Sequence, residues 1–139
     1  MVKNNRNKIE LMSPAGDFDS LQAAIDNGAD SVYFGVEQLN MRARATINFT
    51  LQDLPEISKR CKKHGVRSYL TLNTIIYDHD LSIVKTLITA AKKADITAVI
   101  AMDQAVIAIA RQVGLEVHIS TQINITNIET LKFYAMFAD

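Results

Sequence analysis

The chain has 139 residues, of which 48% are hydrophobic, with a formal net charge of zero and a single cysteine. That length suits one domain but falls short of the about 250 residues of a complete eight-unit βα barrel. The balanced charge excludes a generally basic, phosphate-neutralising surface, and Cys61 alone can neither close an intrachain disulfide nor hold an iron–sulfur cluster.

Residues 1–8 are polar, rich in Asn, Lys and Arg, and read as a disordered tail. No apolar signal core follows them, and no run reaches the about 18 residues of a membrane helix, so the expectation is a cytoplasmic protein without a membrane partner. Residues 9–12 form the first predicted strand. Asp17 is placed to cap a helix carrying Phe18, Leu21, Ala24 and Ile25, and Gly28 sits where a glycine ends a helix. Residues 31–35 give the second strand. Thr50 and Asp53 have the spacing of a capping box, and Leu51, Leu54, Ile57 and Cys61 share one stripe of the helix that follows. Lys59, Arg60, Lys62, Lys63 and His64 crowd its last turns, where the helix dipole favours cations, and Gly65 stops it.

The third predicted strand covers residues 66–73. Asp78 or Asp80 caps a helix with Leu81, Val84, Leu87, Ile88 and Ala91, and residues 97–102 form the fourth strand. Asp103 opens a short helix with Val106, Ile109, Ala110 and Val113, closed by Gly114 ahead of a fifth strand at 116–120. Thr126 and Glu129 have capping-box spacing before a last helix with Leu131, Tyr134 and Ala135 on its apolar face. Strict alternation implies parallel strands, since each strand must return through a helical crossover. A doubly wound sheet and a barrel both fit this pattern. The first strand–helix turn, Ser13-Pro14-Ala15-Gly16, lacks the glycine fingerprint of dinucleotide folds.

Both folds bind ligands beyond the carboxyl ends of their strands, which directs attention to the segments just after each strand. Arg42 and Arg44 fall in the loop after the second strand, where guanidinium forks can take a carboxylate or phosphate, or else pair with Glu37. Asn73 and Thr74 follow the third strand, and Ser120, Thr121, Gln122 and Asn124 the fifth. These neutral groups suit either orientation of a polar substrate or turn chemistry. Ser13 lacks a nucleophile elbow and has no base placed beside it. His118 lies within an apolar strand and reads as a core histidine, while Cys61 reads as core; His64, His79 and His118 lack zinc-site spacing.

Five blocks carry a resemblance. Residues 10–16 (ELMSPAG), 28–35 (GADSVYFG), 41–45 (MRARA), 72–74 (LNT) and 118–124 (HISTQIN) stand in the order and approximate spacing seen in peptidase family U32, the collagenase-like protease family. The resemblance implies a parallel TIM-type (β/α) barrel, of which about five βα units are present, with 9–139 as the amino-terminal part of a (β/α)8 barrel truncated before closure. It also raises Arg42, Arg44, Asn73, Ser120, Gln122 and Asn124 as substrate-binding residues. Some relatives are described as peptidases, and others hydroxylate RNA bases or quinone precursors. The tRNA-uridine-hydroxylating branch implies a prephenate-type cosubstrate, a small anion, and tRNA engaged through parts beyond this segment. An iron–sulfur cluster belongs to some full-length relatives, but its cysteine signature lies downstream of the fifth unit, so no cofactor is expected within this chain. The alternatives are a collagenase-like peptidase and a non-catalytic partial barrel that needs another chain. Open sheet edges predict self-association, with Leu11, Tyr33 and Val99 as inward-facing side chains short of partners.

Overall fold

A computed structural model of the chain describes residues 9–36 and 49–139. Five strands, β1 (Met12–Pro14), β2 (Ser31–Phe34), β3 (Arg67–Leu72), β4 (Ala98–Ala101) and β5 (Glu116–Ile119), alternate with helices α1 (Phe18–Asp26), α2 (Leu54–Lys63), α3 (Leu81–Lys93), α4 (Gln104–Val113) and α5 (Ile128–Tyr134). All strand pairs are parallel, and the sheet order is sequential, β1 through β5. This is an open, barrel-like α/β sheet. The sequential order argues against a doubly wound sheet, whose strand order reverses.

The register sorts the strand side chains into two faces. Val32 pairs with Ser68, Phe34 with Leu70, Leu70 with Val99, and Val99 with Val117. Of these, Val32, Phe34, Leu70, Val99 and Val117 join Leu21, Ile57, Leu87, Ile88 and Val106 of the helices in one buried cluster. The other face carries Met12, Pro14, Ser31, Tyr33, Arg67, Tyr69, Thr71, Ala98, Ile100, Glu116 and His118, and it is the concave face of the barrel segment. Two expectations about facing need correction. Val99 faces the helices and is fully buried, whereas Leu11 precedes the ladder and is exposed; Tyr33 is on the concave face as expected.

The first strand lies slightly later in the chain than its apolar run. Met12 is the first residue of the ladder, and Ala15 N–H continues the pairing by donating to the Tyr33 carbonyl at 2.9 Å. Pro14 is tolerated because β1 is an edge strand and needs no outward donor there. Short 3₁₀ turns precede α2 and α3. Thr50 N–H and Oγ1 both donate to Asp53 Oδ2, and Tyr77 N–H donates to Asp80 Oδ2, so Asp80 rather than Asp78 holds the entry to α3. Asn127, not Thr126, caps α5, its Oδ1 accepting from Thr130 N–H at 2.9 Å.

The junctions into β2, β3 and β5 pass through glycines with positive φ, at Gly28, Gly65 and Gly114. Asp95, with φ 64°, takes the same left-handed role before β4; its carboxylate pairs with Lys62, and its carbonyl accepts from Ser58 Oγ. A second device recurs at the strand starts. Asp30 N–H donates to the Leu11 carbonyl while Leu11 N–H donates to Asp30 Oδ2. Thr97 and Ser68 repeat this exchange, and so do Asp139 and Val117.

Asp17 caps α1, and its Oδ1 accepts from Ser20 N–H at 2.7 Å and Ser20 Oγ at 2.6 Å. The Ser20 hydroxyl, then the Ser20 amide, hold the Asp17 carboxyl below the usual aspartate range. A depressed folded value means that the charged cap stabilises above the unfolded aspartate pKa and fades as pH falls through the folded one. Asp17→Asn retains the acceptor without the titration. Denaturant midpoints of wild type and variant are therefore expected to diverge above about pH 4 and to converge in stronger acid.

Candidate functional site

At the carboxyl end of the strands, alternation continues past β3 and β5 to bring Asn73 and Ser120 onto the concave side. Asn73 Nδ2 donates to Ser120 Oγ at 3.5 Å, across the intervening β4. Ser120 is buried and also accepts from Gln122 N–H at 3.3 Å. Asp103 ties the same rim together. Its Oδ1 accepts from Ala105 N–H at the start of α4, and its Oδ2 accepts from Ile76 N–H in the loop after β3.

Gln122 and Asn124 lie in the turn that follows β5 and are exposed. Asn124 adopts a left-handed conformation, and its Nδ2 donates to the Gln122 carbonyl at 3.2 Å, which is turn chemistry. Arg42 and Arg44 lie outside the described residues, as does Glu37. The residues flanking that segment are well placed: Val36 and Phe49 form a parallel bridge beyond β2 and are buried. Phe49 packs edge-on against Phe18 at 5.1 Å and Phe34 at 5.7 Å.

Deeper on the concave face is a polar layer that periodicity alone did not reveal. Tyr69 is buried, and its hydroxyl donates to Glu10 Oε1 at 2.7 Å. Arg67 pairs with Glu10 and lies over the Tyr69 ring, 5.6 Å from its centroid. Burial pushes the Tyr69 phenol up, and the Arg67 charge partly offsets it. His118 packs edge-on against Tyr69 at 4.7 Å, and its Nε2 lies 2.7 Å from Glu116 Oε1. Its side chain is 28% exposed, so it is a histidine of the concave face rather than of the apolar core. The strand Glu116–Ile119 alternates in charge and polarity, and that pattern was the available signal.

Three hydroxyls near this face are committed to other groups, whereas the buried Ser31 Oγ has no hydrogen-bond partner among the described residues. Thr71 Oγ1 donates to the Phe34 carbonyl, Ser13 Oγ lies 3.5 Å from the Pro14 carbonyl, and Ser120 is held as above. Cys61 lies in the helix-side core, where burial pushes its thiol up to about 11. Among the described residues, no group of three or more His, Cys, Asp or Glu side chains gathers as metal ligands. A shallow cavity of about 290 Å³ opens at the opposite, amino-terminal end, between Arg111, Gly114, Leu115, Glu116 and Asp139. It lies away from the rim and holds none of the rim's converging donors.

Comparison with known proteins places this geometry in a family. The chain is 55% identical over 135 residues to a collagenase of Porphyromonas gingivalis, covering 97% of this chain and 33% of that protein. It is 31% identical over 129 residues to the tRNA hydroxylation protein P1 of Bacillus subtilis, covering 91% of this chain and 30% of that protein. The chain thus spans about a third of the length of these relatives. The solved structure of a U32 peptidase superposes with a TM-score of 0.74 over all of this chain and 60% of that one, at 13% identity, which bears on fold alone. The family model for peptidase family U32 matches residues 16–138, nearly the whole sequence, and the chain belongs to that family.

Proposed function

We propose that this chain supplies the amino-terminal part of the substrate-binding barrel of a tRNA-uridine hydroxylase that takes a prephenate-type anion as cosubstrate. The observation that carries the reading is the chemistry of the concave face. It offers neutral hydrogen-bonding groups at the rim, Asn73 and Ser120, and the rim hydroxyl of Ser120 is bonded to amide groups, Asn73 Nδ2 and Gln122 N–H, instead of to a base. A peptidase working through an activated nucleophile needs such a hydroxyl or thiol paired with a base. The resemblance to tRNA hydroxylation proteins supports the same direction.

In this reading Arg42 and Arg44 take the carboxylates of the anion. Gln122 and Asn124 line the entry, and tRNA is engaged largely by parts of the protein beyond this segment. Any iron–sulfur centre would likewise be held by cysteines outside this chain. Among the described residues no helix is long and apolar enough to cross a membrane, and tRNA chemistry would take place in the cytoplasm.

The test is a gene deletion, with tRNA nucleosides measured by mass spectrometry. Hydroxyuridine is expected to disappear, to return with the wild-type gene, and to stay absent with an Arg42→Gln, Arg44→Gln double variant. Unchanged tRNA in the deletion strain would end the reading. A collagenase-like peptidase is the second reading, favoured by the 55% identity to the Porphyromonas gingivalis protein. Cleavage of gelatin by the purified full-length protein, abolished by one point substitution on the concave face, would establish it.

A further inference from the structure

The concave face holds one imidazole, and its surroundings define its state. His118 Nε2 lies 2.7 Å from Glu116 Oε1, a distance at which the ring nitrogen donates to the carboxylate. Its other nitrogen, Nδ1, makes no hydrogen bond among the described residues, while the side chain keeps 28% of its surface open. The other groups nearby do not compete for it. Tyr69 presents its ring edge-on to the imidazole and spends its hydroxyl on Glu10, and Glu10 is neutralised by Arg67. Thr71 and Ile100 share the His118 row of the sheet, and Thr71 is bonded to the Phe34 carbonyl. Glu116 makes its one ion pair among the described residues with this imidazole.

We infer that His118 is the proton acceptor of the concave face, fixed by Glu116 in the tautomer that carries hydrogen on Nε2 and leaves the Nδ1 lone pair for a ligand N–H or O–H. A carboxylate that orients one ring nitrogen so that the other can act as a base is a recurring catalytic arrangement. The ligand class is a planar imide or a hydroxyl compound bearing an acidic proton. The proton leaves the ligand's nitrogen or oxygen, which keeps the electron pair, and bonds to Nδ1. The resulting imidazolium is balanced by the Glu116 carboxylate, so no oxidant or further reactant enters the step. This inference deepens the hydroxylase reading and rests on it for the identity of the ligand; the tautomer does not.

Long-range proton–nitrogen NMR spectra of the nitrogen-15-labelled chain, recorded slightly above neutral pH, read the tautomer directly. The expected result is hydrogen on Nε2 in wild type and a mixture of tautomers in Glu116→Ala. Hydrogen on Nδ1, or a mixture already in wild type, would overturn the inference whatever the protein does to tRNA. The second arm returns His118→Gln to the deletion strain in the full-length gene. Hydroxyuridine is expected to fall about 100-fold or more at unchanged protein level, the lower end of what loss of a general base costs. Wild-type hydroxyuridine with that variant, where deletion abolishes it, would refute the proton-acceptor role and leave the hydroxylase reading intact. Hydroxyuridine that survives deletion would sink the hydroxylase reading and the ligand assignment with it, while the tautomer is judged on the spectra.

Discussion

Leu70→Ala is expected to destabilise the chain by about 2–5 kcal/mol, the usual cost of opening a cavity in a core. Leu70 lies in the central strand β3, is completely buried, and stands in register between Phe34 of β2 and Val99 of β4. Both sheet neighbours and the helix residues around it belong to one cluster, so backbone collapse into the vacated space would disturb three strands at once. Domains of this kind have total stabilities of about 5–15 kcal/mol, so the loss consumes a large share. Urea unfolding followed by circular dichroism should show a sharply lower midpoint with an unchanged slope. Ile75→Ala is the control: Ile75 is 62% exposed, and its variant should stay within about 0.5 kcal/mol of wild type. A Leu70→Ala loss below about 1 kcal/mol would contradict the packing described for β3.

The second large effect concerns the open sides of the sheet. Ile9, Leu11 and Met12 are exposed beside β1, and Ile128, Leu131, Phe133 and Met136 are exposed along and just after α5. No residue of α5 is buried, although Phe133 stacks edge-on with Tyr134 and Phe137. Apolar surfaces of this kind are covered in stable proteins, and here a second copy of the chain is available to cover them. The chain is therefore expected to self-associate, with a weight-average mass that rises with concentration in light scattering. Burial of a large apolar side chain contributes about 1.5–3 kcal/mol, so Leu131→Lys with Phe133→Lys should weaken association by on the order of 100-fold or more. A monomer at all concentrations, with a sharp reversible thermal transition, would refute this expectation.

Much of the architecture was legible because helix and strand differ in period and because caps and glycines punctuate the chain. Asp17, Asp103, Gly28, Gly65 and Gly114 act where spacing placed them. Facing was harder to read. A strand such as Ala98–Ala101 is apolar on both sides, since one side meets helices and the other meets the barrel interior, so nothing in it distinguishes Val99 from Ile100. Only the pairing register does that. His118 was misjudged for the related reason that its partners, Glu116 and Tyr69, become neighbours through β5 geometry and cross-strand packing. The start of β1 moved because the carboxylate of Asp30 claims Leu11 N–H before the ladder begins. The rim pair Asn73 and Ser120 was within reach because both immediately follow strands, whereas the turn role of Asn124 depends on a left-handed backbone that its residue type permits without requiring.

The exchange made by Asp30 with Leu11, Thr97 with Ser68, and Asp139 with Val117 has a bearing on how the sheet is assembled. For Asp30 and Thr97 the side-chain oxygen accepts the previous strand's amide just before the new strand begins. A slip of one residue would break both bonds and turn an apolar row toward the concave side. Because strand order follows chain order, every βα unit can dock onto a template already finished by the unit before it. Such stepwise growth suits folding during synthesis at the ribosome, with the polar clasps setting the stagger of β2 on β1 and of β4 on β3.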